Sequence, residues 1–355
     1  MQILITGNMG YVGPAVVRQL RQSHPKARLI GYDTGLFAHF LTGSEILPET
    51  YLTAQHFGDV RDIDADFLRG FDAVVHLAAI SNDPMGNQFS AVTKEINQDA
   101  SLRLARIASD TGVKSFVFAS SCSVYGVADD RPRCERDPIN PITAYARSKI
   151  GTEEGLHELE TAMTVTCLRF ATACGASERL RLDLVLNDFV AGALADGRIT
   201  VLSDGTPWRP LIDIGDMALA IDWAIMRDPG ASSRHLVVNV GSNTANYRVS
   251  ELAYAVAEAV PGTEVLINRS APADSRSYCV NFDLYAKLAP GHQPRISLAQ
   301  SITGLVACLR RMEFADEDFR NSQLMRLGAL QSHVAAGRLD CELRWCSPST
   351  ERVAA

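Results

Sequence analysis

The sequence predicts an α/β fold: a doubly wound parallel sheet with helices on both faces, and a smaller, partly interleaved α/β lobe beside it. Two observations carry this prediction. Short apolar runs alternate with segments of helical periodicity through the first 175 residues, and runs such as Asp72–Ala78 and Ser115–Ser121 are near-continuously apolar at their centres. Strands buried on both faces of a parallel sheet have this composition, and right-handed crossovers between them give the doubly wound arrangement.

The individual elements follow in chain order from hydrophobic periodicity and turn residues. Strands are predicted at Ile3–Thr6, Arg28–Asp33, Thr53–Asp59, Asp72–Ala78, Ser115–Ser121, Thr164–Phe170 and Leu236–Gly241. Helices are predicted at Gly13–Ser23, Ile96–Thr111, Ala144–Glu160 and Val249–Val260. The composition of Arg179–Leu184 and Gly205–Pro210 is typical of loops.

The pattern becomes irregular near residue 175, which indicates where the sheet domain ends. Residues 1–175 are expected to form this domain, with a later segment at about 206–245 returning to it. Residues 176–315 would then form most of the smaller lobe. Residues 316–355 mix polar and apolar side chains and are expected to form a C-terminal helical extension.

Composition argues against several classes of function. The formal net charge is −7 and there is no basic run, which disfavours a nucleic-acid partner. No apolar stretch approaches the roughly 18 residues of a transmembrane helix, so no membrane partner is expected. The eight cysteines form no Cys-x-x-Cys pair and the eight histidines show no metal-ligand spacing. We therefore expect reduced thiols in a cytoplasmic protein, and no metal site.

A glycine-rich turn follows the first predicted strand and begins the first predicted helix. It consists of Gly7, Asn8, Met9, Gly10, Tyr11, Val12 and Gly13. The first two glycines allow a tight turn and the close approach of a pyrophosphate, while the third lets the helix pack on the strand. Because a helix N-terminus attracts anions, the turn is a candidate dinucleotide-binding site.

Residues at the ends of later strands support this interpretation. Asp33 ends the second strand, where a carboxylate accepts hydrogen bonds from an adenosine ribose and repels a 2′-phosphate. It therefore favours NAD over NADP, although a solvated turn residue is the alternative role. Further candidate cofactor contacts at strand ends are Asp59, Val60, Leu77, Ala78 and Ala79.

Three side chains form a candidate catalytic set. Tyr145 and Lys149 lie four residues apart, which places them on one face of a predicted helix. The lysine ammonium can stabilise tyrosinate and hold a nicotinamide ribose, so the phenol can exchange a proton with a substrate hydroxyl. Such a pair alone is common on protein surfaces. Ser121, however, ends the fifth strand at the edge where doubly wound sheets bind ligands, and it can hydrogen-bond the reacting oxygen.

Together these motifs resemble the extended short-chain dehydrogenases/reductases, which include UDP-galactose 4-epimerase, the nucleotide-sugar 4,6-dehydratases and ketoreductases. The matching motifs are Thr6-Gly-x-x-Gly-x-x-Gly13, Asp33, Asp59, His76-Leu-Ala-Ala79, Ser120-Ser-x-Ser-Val-Tyr-Gly126 and Tyr145-x-x-x-Lys149. The resemblance implies a Rossmann domain with bound NAD, a nucleotide-sugar substrate, and Ser121, Tyr145 and Lys149 as catalytic residues. It also implies that Asn97 lies near the cofactor pocket.

The resemblance further implies a homodimer in which two long helices from each subunit form a four-helix bundle. Leu102–Ser109 and Ile150–Glu160 are the candidate faces. Their apolar stripes could instead belong to the ordinary core, so both interpretations stay open.

The resemblance is looser beyond residue 175, where it indicates contacts to the substrate. Arg209 and Arg276 would bind a diphosphate or a ribose, with Arg179 and Arg181 as weaker candidates. The loop after the fourth strand is expected to face the sugar, and its Asp83 is an additional acid/base candidate. The full set of candidate substrate contacts is Ser81, Asn82, Ser121, Cys122, Ser123, Thr172, Arg179, Arg209 and Arg276.

The expected reaction is epimerisation through a transient keto sugar, with NAD regenerated in each cycle. A ketoreductase or dehydrogenase with exchangeable cofactor would use the same three residues and is the alternative. The 4,6-dehydratases place Asp-Glu directly after the strand-end hydroxyl, where this chain has Cys122-Ser123, so dehydration is disfavoured. Thr172 and Cys174 stand where the family's epimerases have Asn and Tyr, so the substrate contacts differ. A non-catalytic nucleotide sensor is a third hypothesis, against which the intact catalytic set argues.

Overall fold

The structure is a computed structural model that describes residues 1–126, 131–231, 233–271 and 277–346. Its strands in chain order are β1 (Gln2–Thr6), β2 (Arg28–Asp33), β3 (Ala54–Phe57), β4 (Ala73–His76), β5 (Ser115–Ser121), β6 (Thr164–Phe170), β7 (Thr172–Cys174), β8 (Arg198–Val201), β9 (Trp208–Asp213), β10 (His235–Val240), β11 (Asn246–Arg248) and β12 (Glu264–Ile267).

Seven of these strands form one parallel sheet in the order β10-β6-β5-β4-β1-β2-β3. Successive strands are added outward from β1 in one direction, and the order then reverses between β1 and β4. This confirms the predicted doubly wound fold, and it places the expected ligand-binding crevice at the carboxyl ends of β1 and β4. The strand β10, which comes from the second half of the chain, extends this sheet beside β6.

The helices in chain order are α1 (Gly13–Ser23), α2 (Ala65–Leu68), α3 (Asp83–Gln88), α4 (Ser90–Lys94), α5 (Ala100–Asp110), α6 (Ala144–His157), α7 (Val185–Ala195), α8 (Ile214–Met226), α9 (Val249–Ala259), α10 (Asp283–Leu288), α11 (Leu298–Arg311) and α12 (Arg326–Ala335). A π-helical stretch, Glu95–Asp99, joins α4 to α5. The predicted helix at Ile96–Thr111 is thus the second half of a longer helical run.

Alternation along each strand divides the core between the two faces of the sheet. Ile3 and Ile5 pack with α1 and α8 on one face, whereas Leu4 packs with α5 on the other. Because successive strand side chains point to opposite faces, a strand covered on both sides must be apolar throughout. This requirement explains why the first-half strands were recognisable as continuous apolar runs.

Two smaller sheets lie outside the main one. The strands β11, β9 and β7 form one, and β12 pairs with β8 in the other. The prediction of a loop at Gly205–Pro210 was wrong in its second half, because Trp208–Asp213 is a strand. Its partners lie at Thr172–Cys174 and Asn246–Arg248, so its hydrogen bonds depend on contacts distant in sequence that local composition does not reveal.

The C-terminal segment (residues 316–346) packs against the end of the main sheet. It is helical only at α12 and in one short 3-10 turn, whereas a longer helical extension was expected. Gly337, with a φ of 65°, follows α12 in the left-handed conformation that typically ends a helix. Beyond it the Trp345 indole donates to the Thr34 carbonyl at 2.6 Å, and Arg344 pairs with Asp62 at 2.8 Å. These contacts attach the segment to the loops that follow β2 and β3. The rest of the predicted extension, residues 347–355, lies outside the described residues.

The two helices expected at a dimer interface, α5 and α6, pack beside each other. The homodimer itself stays a prediction. Within the described ranges, no helix has both the length and the apolar character that crossing a bilayer requires.

Gly13 packs the start of α1 tightly against the glycine turn, and this packing can be tested by substitution. A Cβ atom there would lie 1.9 Å from the Asn8 carbonyl oxygen, so Gly13→Ala must shift α1. We expect the free energy of unfolding to fall by about 2 kcal/mol in urea titrations. Gly304→Ala, in α11, is the matched control, since nothing lies within 4 Å of its Cβ position. It should raise stability by about 0.5 kcal/mol. Equal effects of the two substitutions would contradict this account.

Candidate active site

A cavity of about 850 Å³ lies at the carboxyl ends of the central strands. This volume is near the upper end for small-molecule sites. Residues from the main sheet and from the smaller lobe both contribute to its wall. Those predicted from sequence that line it are Gly7, Gly10, Tyr11, Val12, Gly13, Asp33, Asp59, Val60, Leu77, Ala78, Ala79, Ser81, Asn82, Ser121, Ser123, Tyr145, Lys149, Thr172 and Arg209.

The glycine turn brings two strands together at the point where the strand order reverses. Gly7 has a φ of 74°, and a Cβ there would lie 2.5 Å from the Ala78 backbone nitrogen. Only glycine permits this approach of β1 to the end of β4. The first turn of α1 then faces the cavity with N–H groups that have no intrahelical partner, as an anion site requires. The shape and chemistry of the turn therefore fit a dinucleotide.

Asp33 is held rigidly beside this turn. Its two carboxylate oxygens accept hydrogen bonds from the backbone N–H groups of Met9 at 2.9 Å and Gly35 at 2.8 Å. Burial raises the pKa of Asp33, and these two hydrogen bonds oppose the rise. The carboxylate keeps lone pairs with which to accept ribose hydroxyls.

Asp59 also lines this cavity, but its carboxylate is paired with the guanidinium of Arg61. It accepts hydrogen bonds from the Arg61 guanidinium, with a closest distance of 2.6 Å, and from the Arg61 backbone N–H. Burial disfavours the charged form, yet the bonds from Arg61 prevail and lower the pKa of Asp59. Asp59 is therefore an ionised, paired group at the edge of the cavity.

The three predicted catalytic side chains meet in this cavity. Thr143 begins α6 as an N-cap by accepting from the Ala146 N–H, and the first turns of the helix then carry Tyr145 and Lys149. The hydroxyl of Tyr145 shares a hydrogen bond with Ser121 at the end of β5. The Lys149 ammonium lies 5.6 Å from the centre of the Tyr145 ring and donates to the Ala119 carbonyl at 2.7 Å.

Burial controls the charge of this pair. It raises the pKa of Tyr145 to about 12, opposed by the hydrogen bond from Ser121. It also lowers the pKa of Lys149 to about 7, against the attraction of Glu153. The expectation of a phenol made acidic by its lysine neighbour is therefore not met by the protein groups alone, because desolvation is the largest influence on the pKa of each group.

A buried ionic network beneath the site was not recognised in the sequence. Glu153, one turn after Lys149, pairs with Arg169 of β6 at 2.6 Å and accepts a hydrogen bond from Ser120. Arg169 also donates to Tyr125 at 3.1 Å. The network ties α6 to the ends of β5 and β6, and so fixes the distance between Ser121 and the helix that carries Tyr145.

The loop after β4 is held in place by an ion pair from the smaller lobe. Arg181 pairs with Asp183 at 2.5 Å and donates to Ser81 at 2.8 Å, while Asn82 donates to Asp183 at 2.6 Å. Arg181, one of the two weaker candidates from sequence, lines the cavity along with Asp83. Both charges act on the Tyr145 phenol, since Asp83 raises its pKa and Arg181 lowers it.

Tyr278 is a further cavity residue that was quoted in a sequence motif but given no role. It is buried, its hydroxyl is hydrogen-bonded to Thr172, and burial raises its pKa to about 12, opposed by the nearby charge of Arg209. Ser123 has a buried hydroxyl without a hydrogen-bond partner among the described residues. These polar groups lie where a second ligand would sit beside the dinucleotide.

Several predicted contacts lie away from the cavity wall. Cys122 is fully buried and donates to the Arg169 carbonyl at 3.1 Å, so it is not placed to touch a substrate. Arg179 is buried and pairs with Glu49 at 3.1 Å. Arg276 lies outside the described residues.

Three predicted cofactor residues lie behind the residues that line the cavity. Asn8 donates to Gln55 at 2.6 Å, and Met9 holds Asp33 through its backbone. Asn97 is fully buried. Its Oδ1 accepts a hydrogen bond from the Ile80 N–H at 2.8 Å, and its Nδ2 donates to the Ile80 carbonyl at 3.0 Å. It thereby positions the loop after β4, whereas the sequence had indicated only that it lies near the pocket.

The C-terminal segment supplies cavity residues that sequence reasoning missed. Arg320, Met325, Arg326 and Leu343 all line the wall. Arg320 pairs with Asp188 of α7 at 2.8 Å, which links the segment to the smaller lobe. The mixed composition of this region carried no motif, and only its apolar residues could have indicated that it packs on the main body.

Comparison with known proteins supports the geometry. The model of the NAD dependent epimerase/dehydratase family matches residues 3–241. YtcB of Bacillus subtilis, named an uncharacterized UDP-glucose epimerase, is 28% identical over 253 residues, covering 68% of this chain and 77% of the relative.

Two solved structures share the fold. The NAD-dependent NDP-hexosamine 5,6-dehydratase TunA, involved in tunicamycin biosynthesis, matches with a TM-score of 0.75 and 24% identity over 89% of this chain and 99% of its own. MoeE5, in complex with UDP-glucuronic acid and NAD, matches with a TM-score of 0.71 and 25% identity over 88% of this chain and 99% of its own. The chain belongs to the NAD dependent epimerase/dehydratase family of extended short-chain dehydrogenases/reductases, and is an NAD-dependent enzyme of that family.

Proposed function

We propose that the protein is a nucleotide-sugar epimerase that works through a transient keto sugar. The observation that carries the proposal is that Ser121, Tyr145 and Lys149 line the same cavity as the glycine turn and Asp33. A proton-transfer group thus stands beside a dinucleotide site. The cavity extends to the smaller lobe, which leaves polar surface for a second ligand.

Tyr145 and Ser121 have different roles at the sugar hydroxyl. Tyr145 removes the hydroxyl proton, and Ser121 holds the same oxygen by a hydrogen bond. Bound NAD supplies a nicotinamide that accepts a hydride from the sugar carbon and returns it. After the keto sugar has turned in the cavity, Tyr145 returns the proton to the oxygen.

Lys149 would lower the free energy needed to ionise the buried Tyr145 phenol. The lysine pKa of about 7 leaves Lys149 between the charged and neutral forms near neutral pH. A neighbouring anion raises the pKa of a lysine, and a neighbouring cation lowers that of a phenol, so tyrosinate and ammonium stabilise each other. The two groups are therefore expected to titrate as a coupled pair.

We propose substrate contacts from cavity residues outside the glycine turn. Arg209 and Arg181 would bind a diphosphate, while Ser123 and the Thr172–Tyr278 pair would hydrogen-bond the sugar or the ribose. Each of these side chains lines the cavity. Guanidinium groups suit phosphate because their donors form a planar fork.

Two observations favour epimerisation, the first over net reduction and the second over dehydration. Met325, Arg326 and Leu343 of the C-terminal segment line the same cavity as the glycine turn and Asp33, which supports a cofactor that stays bound between turnovers. Positions 122 and 123 carry no carboxylate, and the Cys122 thiol, whose pKa is raised by burial, lies behind the wall. A net ketoreductase with exchangeable NAD is the alternative.

A substrate panel separates these two reactions. The purified protein would be incubated with UDP-, dTDP-, GDP- and CDP-sugars, and the products followed by NMR together with the nicotinamide absorbance. We expect a second stereoisomer of one nucleotide sugar with no net change in NADH. Stoichiometric formation or consumption of NADH would reject epimerisation in favour of the reductase.

Removing one hydroxyl group tests the role of Tyr145. Tyr145→Phe should lower kcat by about 10³-fold, because it deletes the proton-transfer group. NAD affinity should stay within about twofold, since the hydroxyl holds the reacting oxygen and leaves the glycine turn intact. Tyr254→Phe, at an exposed position on α9, is the control and should be fully active. A Tyr145→Phe variant with more than about a tenth of the activity would rule out the mechanism.

The buried lysine also predicts a pH dependence of stability. Between about pH 7 and pH 10 the unfolded chain keeps the Lys149 proton that the folded, cofactor-free protein has released. The destabilisation is therefore largest below pH 7 and diminishes as the pH rises. Relative to Lys149→Met, the wild-type free energy of unfolding should increase by about 2 kcal/mol from pH 7 to pH 9. Parallel pH profiles from urea titration would show that Lys149 stays charged when buried.

A further inference from the structure

Three buried arginines, Arg179, Arg181 and Arg326, lie close together at the cavity, and two of them have carboxylate partners. Arg179 pairs with Glu49 at 3.1 Å, and Arg181 pairs with Asp183 at 2.5 Å. The third is Arg326 at the start of α12, only 2% exposed. Within the described ranges it forms no ion pair.

The contacts of Arg326 leave one end of its guanidinium unused. Its Nη2 donates to the backbone carbonyls of Arg179 at 2.8 Å and Leu180 at 3.4 Å. The guanidinium also lies over the Phe37 ring, 4.4 Å from its centre. The buried Nη1 has no hydrogen-bond partner among the described residues.

This arrangement is unfavourable without an anion. Burial, together with the charges of Arg181 and Arg179, lowers the pKa of Arg326 to about 9, with Asp183 and Tyr11 opposing. A buried cation with unpaired donors is destabilising unless a counter-charge completes it.

The location of Arg326 indicates which anion completes it. Arg326 lines the cavity together with Gly10, Tyr11 and Leu36, at the end of the cavity that holds Asp33. The first turn of α1 contributes N–H groups to the same space. Asp33 suits the adenosine ribose, so the group next to it that carries negative charge is the diphosphate of the dinucleotide.

We infer that Arg326 binds the diphosphate of NAD, which makes the C-terminal segment a working part of the cofactor site. A guanidinium and a helix N-terminus would then hold the diphosphate from opposite sides. Because the Trp345 indole and Arg344 attach the same segment beyond β2 and β3, the segment closes the cleft over the bound cofactor. This inference requires that the protein binds NAD, and it holds whether the enzyme epimerises or reduces its substrate.

Binding measurements on protein freed of nucleotide test the inference without reference to activity. Arg326→Met keeps the aliphatic bulk and removes the charge, and Arg326→Lys keeps the charge. Arg338→Met, an exposed position in the same segment, is the control. The dissociation constants of NAD, ADP-ribose, adenosine and UDP would be measured by calorimetry or competition, together with the Tm of each nucleotide-free variant.

We expect Arg326→Met to weaken NAD and ADP-ribose by about 10- to 100-fold, with adenosine and UDP within about twofold. The Tm of the nucleotide-free variant should be unchanged or higher, because an uncompensated charge has been removed. Arg326→Lys should recover part of the affinity, and Arg338→Met should match the wild type.

Three results would overturn the inference. Unchanged NAD affinity in Arg326→Met would show that the guanidinium does not contact the cofactor. Equal weakening of NAD and adenosine with a lower Tm would show that Arg326 only supports the fold. Weakened UDP with intact NAD would assign Arg326 to the substrate diphosphate.

Discussion

At the carboxyl end of β1 the chain turns so tightly against β4 that a methyl group on Gly7 would lie 2.5 Å from the backbone of Ala78. This contact sets the dimensions of the whole site. It opens the crevice at the reversal of strand order, directs the first turn of α1 into it, and brings the end of β4 to the cofactor. The Asp33 carboxylate adds to the same contact, because it accepts the Met9 N–H and so holds the turn from the side of β2. Dinucleotide binding is therefore a property of backbone geometry before any side chain is considered.

Desolvation then controls the pKa values of the predicted catalytic side chains. Tyr145 and Lys149 are placed by α6, and the Glu153–Arg169 pair holds that helix against β5 and β6. Burial moves the pKa of the phenol upward and that of the ammonium downward, so each group resists its charged form when alone. The same low dielectric makes their attraction strong once both are charged. In the mechanism proposed above, a site built in this way would couple proton removal from the substrate to the charge state of the lysine, which a solvent-exposed pair could not do.

The fold and the centre of the site were accessible from sequence because local signals specify them. Continuous apolar runs marked the sheet, glycines marked the turn, and Tyr145 and Lys149 were one helical turn apart. What was missed depends on contacts between distant segments. Trp208–Asp213 is a strand only because β7 and β11 pair with it. Arg181 and Arg179 are two residues apart in one loop, and only the packed structure shows that the first faces the cavity while the second pairs with Glu49. No local pattern distinguishes them, since a loop has no period that assigns alternate residues to different faces.

The C-terminal segment shows how such distant contacts bear on function. Its buried residues Leu330, Leu339 and Leu343 join the core that also contains Leu4 and Ile30, so the segment is part of the folded body. A cofactor that leaves after each turnover would require these contacts, and those of Trp345 and Arg344, to break and re-form in every cycle. A cofactor that is reduced and reoxidised in place requires no such opening. If this segment closes the cleft over the bound cofactor, as we infer, its contacts favour the redox-neutral reaction, because contacts that stabilise the closed cleft slow exchange of the cofactor without hindering a reaction that never releases it.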